Sequence, residues 1–193
     1  MRTRIQPTPL LAVTALLGLS AGLLGTVFLP SAAAAPAPAG GLTPEQADIL
    51  SHMSIEFLSD GAGGVVKTIR ISGVNVQIVN GTGATGGAPD GAGNLIVGYN
   101  DLGIFAPAPR TGSHNVVVGD VQSYTSFAGI VAGQANTIDA PYASVLGGAL
   151  NVAGGQHSTV VGGALNATEA LGNGSVITGS LNNVTDTTLQ LLP

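Results

Sequence analysis

Six short apolar runs, each closed by a glycine, recur from residue 94 onward, and they constrain the fold more than any other feature. They are Leu95-Ile96-Val97-Gly98, Val116-Val117-Val118-Gly119, Ile130-Val131-Ala132-Gly133, Val145-Leu146-Gly147-Gly148, Val160-Val161-Gly162-Gly163 and Val176-Ile177-Thr178-Gly179. The closing glycines are 21, 14, 15, 15 and 16 residues apart. Three residues beyond each glycine stands a polar side chain: Asp101, Gln122, Asn136, Asn151, Asn166 and Asn182. Two copies are nearly identical, Val-Leu-Gly-Gly-Ala-Leu-Asn and Val-Val-Gly-Gly-Ala-Leu-Asn. After a longer first step, a period this steady marks a solenoid or array.

Each column of the repeat has a physical reading. The runs are short, mostly β-branched and closed by glycine, which favours strand over helix. The positions three and two before the glycine are large and apolar in every copy. Neighbouring strand residues point to opposite faces, so both columns require burial. The interior of the coil covers one column, and a partner chain would cover the other. The glycine suits a tight turn with positive φ. The asparagine can then tie loop backbone across stacked coils.

Composition agrees. Charged residues are 8% of the chain, against roughly 25% in an average globular domain. There is no Trp or Cys, and only three Tyr and four Phe. So few large side chains fill thin, closely spaced layers rather than a thick core. The fold expected is all-β: a parallel solenoid of about six coils over residues 94–183, preceded by a short helix and one or two strands. Coils of 14–16 residues hold about two short strands and two turns. The six-residue period of hexapeptide helices is excluded.

The runs Ser144-Val145-Leu146-Gly147-Gly148, Thr159-Val160-Val161-Gly162-Gly163 and Ser175-Val176-Ile177-Thr178-Gly179 resemble the Ser-Val-Ala-Ile-Gly repeats of trimeric autotransporter adhesin heads. That resemblance implies a left-handed β-roll in which three chains pack side by side. It implies adhesion to extracellular matrix or cell-surface ligands. It covers under half of the chain. Residues 184–193, read as a C-terminal tail, carry no heptads and no aromatic final strand, so the stalk and barrel anchor of that family have no counterpart there.

The N-terminus carries an export pattern. Arg2 and Arg4 precede an apolar run from Leu10 to Leu29, and Ser31-Ala32-Ala33-Ala34 gives a small-residue exit. Residues 1–34 are thus expected to be a signal peptide, followed by an Ala/Pro linker over 35–41 and secretion to the cell surface or medium. Without Arg2 and Arg4, three basic residues (Lys67, Arg70, Arg110) face ten acidic ones, a net charge of −7. No basic patch suits nucleic acid, and no span crosses a membrane in the mature chain. Without cysteine there is no disulfide framework or thiol nucleophile.

Residues 42–93 form a leader module. Thr43 is a natural N-cap and Pro44 suits the first helical position. The stripe Ala47, Leu50, Met53, Phe57 and Leu58 predicts a helix running to about Asp60-Gly61. Alternation over Val65–Val79 predicts one or two strands. Residues 80–93 read as a flexible glycine-rich loop without a phosphate-binding pattern.

No catalytic, cofactor or metal site is expected. His52, His114 and His157 are far apart in sequence and lack ligand spacing. Asp101, Asp120 and Asp139 read as solvated turn residues, since they follow no Ca²⁺ loop pattern. The functions compatible with this reading are a trimeric adhesin-like module, a structural spacer or coat element, and a carbohydrate- or ice-surface binder. Thr137, Thr159 and Thr168 do not fall in one column, which disfavours ice binding.

Overall fold

The computed structural model describes residues 41–103, 108–179 and 181–192. The export pattern of residues 1–34 lies outside them. The chain divides at Ser72 and Gly73 into two compact units.

The first unit opens with α1, Pro44–Ser51. A capping box starts it: Gln46 N–H donates to Thr43 Oγ1 at 3.2 Å, and Thr43 N–H donates to Gln46 Oε1 at 3.0 Å. The helix stops earlier than its apolar stripe predicts. Met53–Ser59 is strand β1, paired antiparallel with β2, Val65–Ile71. Met53, Ile55 and Phe57 satisfy a period of two as well as a helical stripe. Pairing with the β-branched residues of β2 decides in favour of the strand. The turn is closed by Asp60, whose Oδ1 accepts from the N–H groups of Ala62 and Gly64, both at 2.8 Å. Beyond β2, residues 74–79 form no second strand.

The second unit is a parallel β-solenoid of about five turns. Its larger sheet has seven strands: β3 (Leu95–Val97), β4 (Val116–Asp120), β6 (Ile130–Gln134), β8 (Ser144–Val145), β10 (Thr159–Val160), β12 (Val176–Ile177) and β14 (Leu191–Leu192). Its smaller sheet has five: β5 (Ser123–Tyr124), β7 (Thr137–Ile138), β9 (Val152–Ala153), β11 (Ala167–Thr168) and β13 (Val184–Thr185). Six coils were expected. Among the described residues the smaller sheet begins at β5, so the first run adds a strand to one sheet without a described companion in the other. At the far end β13 and β14 carry the solenoid into residues 184–193, the segment read as a tail.

The core is a single stack of inward side chains. Val117, Val131, Val145, Val160 and Ile177 stand in register in the larger sheet and are fully buried. Tyr124, Ile138 and Ala153 face them from the smaller sheet. Burying each Val or Ile contributes about 1.5–3 kcal/mol.

Counting back from the glycine does not find this inward column. Gly98, Gly119, Gly133, Gly148 and Gly163 do share one position, each with positive φ between 80° and 108°. A Cβ at Gly148 would strike the carbonyl of Gly163 in the next coil. However, Val117 and Val131 lie two residues before their glycines, whereas Val145 and Val160 lie three before theirs. Gly147 and Gly162 are the extra residues. Gly179 falls out of the glycine column, because Val160 pairs with Ile177 and Ala164 with Leu181, which sets Gly179 level with Gly162. A shift of one residue exchanges the faces of a strand.

Candidate functional site

Two features of the solenoid bear on function: an interior ladder that links its coils, and the apolar outer face of its larger sheet. The ladder is built from side-chain amides. Gln122 N–H donates to Asn100 Oδ1 at 2.6 Å, Asn136 N–H to Gln122 Oε1 at 3.0 Å and Asn151 N–H to Asn136 Oδ1 at 2.9 Å. Asn166 N–H donates to Asn151 Oδ1 and Asn183 N–H to Asn166 Oδ1, both at 3.0 Å. The side-chain amide of Asn151 also donates to the carbonyls of Gly147 and Gly163, at 3.2 and 3.1 Å. Gln122, Asn136, Asn151 and Asn166 are fully buried.

The sequence spacing misplaces both ends of this column. Asn100 belongs to it rather than Asp101, because the first turn is one residue shorter. Asn183 belongs to it rather than Asn182, because Gly179 is out of register. Asn182 instead occupies the corner before the ladder with φ 59°, alongside Ala135 at 54°, Leu150 at 58° and Leu165 at 58°. This left-handed corner costs a non-glycine residue roughly 1–2 kcal/mol. Its N–H is used across coils: Leu150 donates to Gln134 O at 3.1 Å and Leu165 to Ala149 O at 3.2 Å. A second, shorter amide column, not foreseen from the sequence, links the first coils: Asn115 N–H donates to Asn94 Oδ1, and Gly129 N–H to Asn115 Oδ1, both at 2.8 Å.

The outer face of the larger sheet carries the other apolar column. Leu95, Val116, Ile130, Ser144, Thr159, Val176 and Leu191 stand in one row by strand register. Val97, Val118 and Ala132 begin a second row that continues through Leu146, Val161 and Thr178. Seven strands at about 4.8 Å make this face roughly 29 Å long. Expected to be buried, it is largely open in the single chain. Val116 and Val176 are half-buried, but Leu95, Ile130, Leu146 and Val161 are between 41% and 47% exposed. Ile96 stands in the inward row, level with Val117, and is nevertheless exposed.

The outer side of the smaller sheet differs. Its register places Asp139, Gly154, Glu169 and Asp186 in line, one residue beyond each strand. Burial pushes the Asp139 carboxyl above its ordinary range, and the charge of Glu169 adds to the rise. Among the described residues no group of three or more His, Cys, Asp or Glu side chains gathers as a metal site.

The three histidines stay apart in role. His52 lies in the first unit, where its Nδ1 is 3.0 Å from Ser72 O. His114 Nε2 accepts from Asn80 N–H at 3.2 Å, which ties the glycine-rich segment to the first coil; Asp90 and Ser113 reinforce that link at 2.9 Å. Beside His114 lies a cleft of about 330 Å³ lined by Val79, Asn80, Gly83 and Thr85. His157 stacks on Tyr142 with ring centres 5.0 Å apart, and Tyr142 meets Phe127 edge-on at 5.3 Å. These rings brace one corner of the solenoid.

Among the described residues, no helix is long and apolar enough to cross a membrane. Comparison with protein-family models, with curated proteins and with solved structures finds no match.

Proposed function

We propose that this chain is an exported, non-enzymatic surface or secreted repeat protein whose β-solenoid assembles as a trimer and presents its turns to extracellular matrix or cell-surface ligands. The observation that carries the reading is the exposed apolar outer face of the seven-stranded sheet. A contiguous apolar surface of this kind marks an interaction site. The repeat's resemblance to trimeric autotransporter adhesin heads supplies the threefold count, the left-handed roll and the adhesive role. The leader-like N-terminus supplies export.

The assembly is tested by light scattering on the full chain. The wild type is expected to have three times the mass of a Leu146→Asp/Val161→Asp variant. Equal masses would overturn the trimer. Adhesion is tested on immobilised collagen, fibronectin and glycans. Blank results on all of them, with the trimer intact, would leave a structural spacer as the function.

A further inference from the structure

The hairpin of the first unit presents a face that none of the described residues of its own unit covers. By strand register Met53, Ile55 and Phe57 share one face with Val65, Lys67, Ile69 and Ile71. The six apolar residues of that face are 38–66% exposed. α1 buries none of its own residues. The opposite face is more polar: Arg70 pairs with Glu56 at 2.7 Å, beside Ser54 and Thr68.

We propose that this hairpin face docks on the same face of a second copy of the chain, forming an interface separate from the one on the solenoid. Two strands alone are marginal in water and need a hydrophobic cover. With roughly 100 Å² left open per apolar side chain, one hairpin offers about 600 Å². Two such faces bury about 1,200 Å², the lower end of the range for specific interfaces. The patch is self-complementary, as a twofold contact requires. Lys67 stands opposite Phe57, and a lysine so placed can bury its aliphatic stem in such an interface while its ammonium stays at the rim. Edge-to-edge pairing is disfavoured. Symmetric pairing of two β1 strands about their centre sets Glu56 against Glu56.

Light scattering on the full chain separates this interface from the solenoid's. Leu146→Asp/Val161→Asp is expected to run as a dimer, and adding Ile55→Asp/Ile69→Asp to halve its mass. With both interfaces formed the wild type holds six chains; a monomer at Leu146→Asp/Val161→Asp, or a wild type of three chains, overturns the proposal. Failure of the trimer alone would appear as a wild-type mass unchanged by Leu146→Asp/Val161→Asp. Since the chain has no cysteine, Ile69→Cys provides a second readout in the full chain. Mild oxidation is expected to link Ile69→Cys chains in pairs and to leave Ser54→Cys chains, altered on the opposite face, unlinked. No linkage at Ile69→Cys, or equal linkage at both positions, overturns the proposal.

Discussion

Asn151 donates from both its backbone N–H and its side-chain amide to Oδ1 of Asn136, at 2.9 and 3.2 Å. One carbonyl oxygen thus carries the turn of the next coil. Asn151 Oδ1 does the same for Asn166. Removing any one rung leaves buried groups on two coils without partners.

Asn151→Ala is therefore expected to cost about 3–5 kcal/mol, since each unpaired buried group costs roughly 1–3 kcal/mol. Urea denaturation monitored by circular dichroism measures it. Asn182→Ala, at a corner position outside the ladder, is expected to cost less than about 1 kcal/mol. Equal losses at the two positions would contradict the assignment of the column.

Neighbouring residues in β8 and just beyond it give a sharper contrast. Val145 is fully buried in the core stack, and Leu146 is 47% exposed on the outer face. Val145→Asp places a charge among apolar side chains and is expected to abolish folding, with a loss above about 4 kcal/mol. Leu146→Asp is expected to fold with an unchanged circular dichroism spectrum and to lose the contact made through the solenoid's outer face. A folded Val145→Asp protein would refute the inward assignment.

How much of this was legible in sequence follows from the repeat itself. The strand character and the glycine column could be read directly, because β-branched runs and positive-φ turns leave residue-type signatures. The faces could not be read from glycine spacing alone. Gly147 and Gly162 insert one residue between strand and turn, a difference that is invisible when copies are aligned on glycine and that changes which residue points inward. Met53–Ser59 misled for another reason: its apolar residues fit two periodicities, and the deciding term was long-range pairing with Val65–Ile71. The ladder's end members, Asn100 and Asn183, lie two and four residues past their glycines, and each had a polar neighbour, Asp101 and Asn182, that fitted the three-residue count instead.

The left-handed corner offers a way to separate stability from assembly. Leu165 has φ 58° and is half-exposed, and Asn182 occupies the same kind of corner at 59°. Asparagine tolerates this conformation better than leucine does. Leu165→Asn is expected to raise the stability of the single chain by up to about 1 kcal/mol. The check is a melting curve at a concentration low enough to keep the chain dissociated. A clear drop there would show that Leu165 packs against its own chain more than its exposure indicates.

The acidic row predicts a pH dependence of unusual sign. Asp139 is raised above its ordinary range, first by desolvation and then by Glu169, so its charged form is disfavoured in the folded chain. The cost is present in full above its folded pKa and is relieved as pH falls through that value. Asp90 has the opposite sign. Its carboxylate accepts from Ala92 N–H and Ser113 Oγ–H, which holds its pKa below the ordinary range, so the stability it supplies is lost as pH falls. Asp139→Asn is thus expected to raise the melting temperature at pH 7, and the gain should shrink to nothing by about pH 3, where the wild-type carboxyl is protonated in both states. Glu169→Gln should give a smaller gain over the same window, because its charge is the lesser cause. Melting curves from pH 3 to 8 on the three proteins measure both effects, and a gain from Asp139→Asn that persisted unchanged to low pH would show that its origin is packing rather than charge.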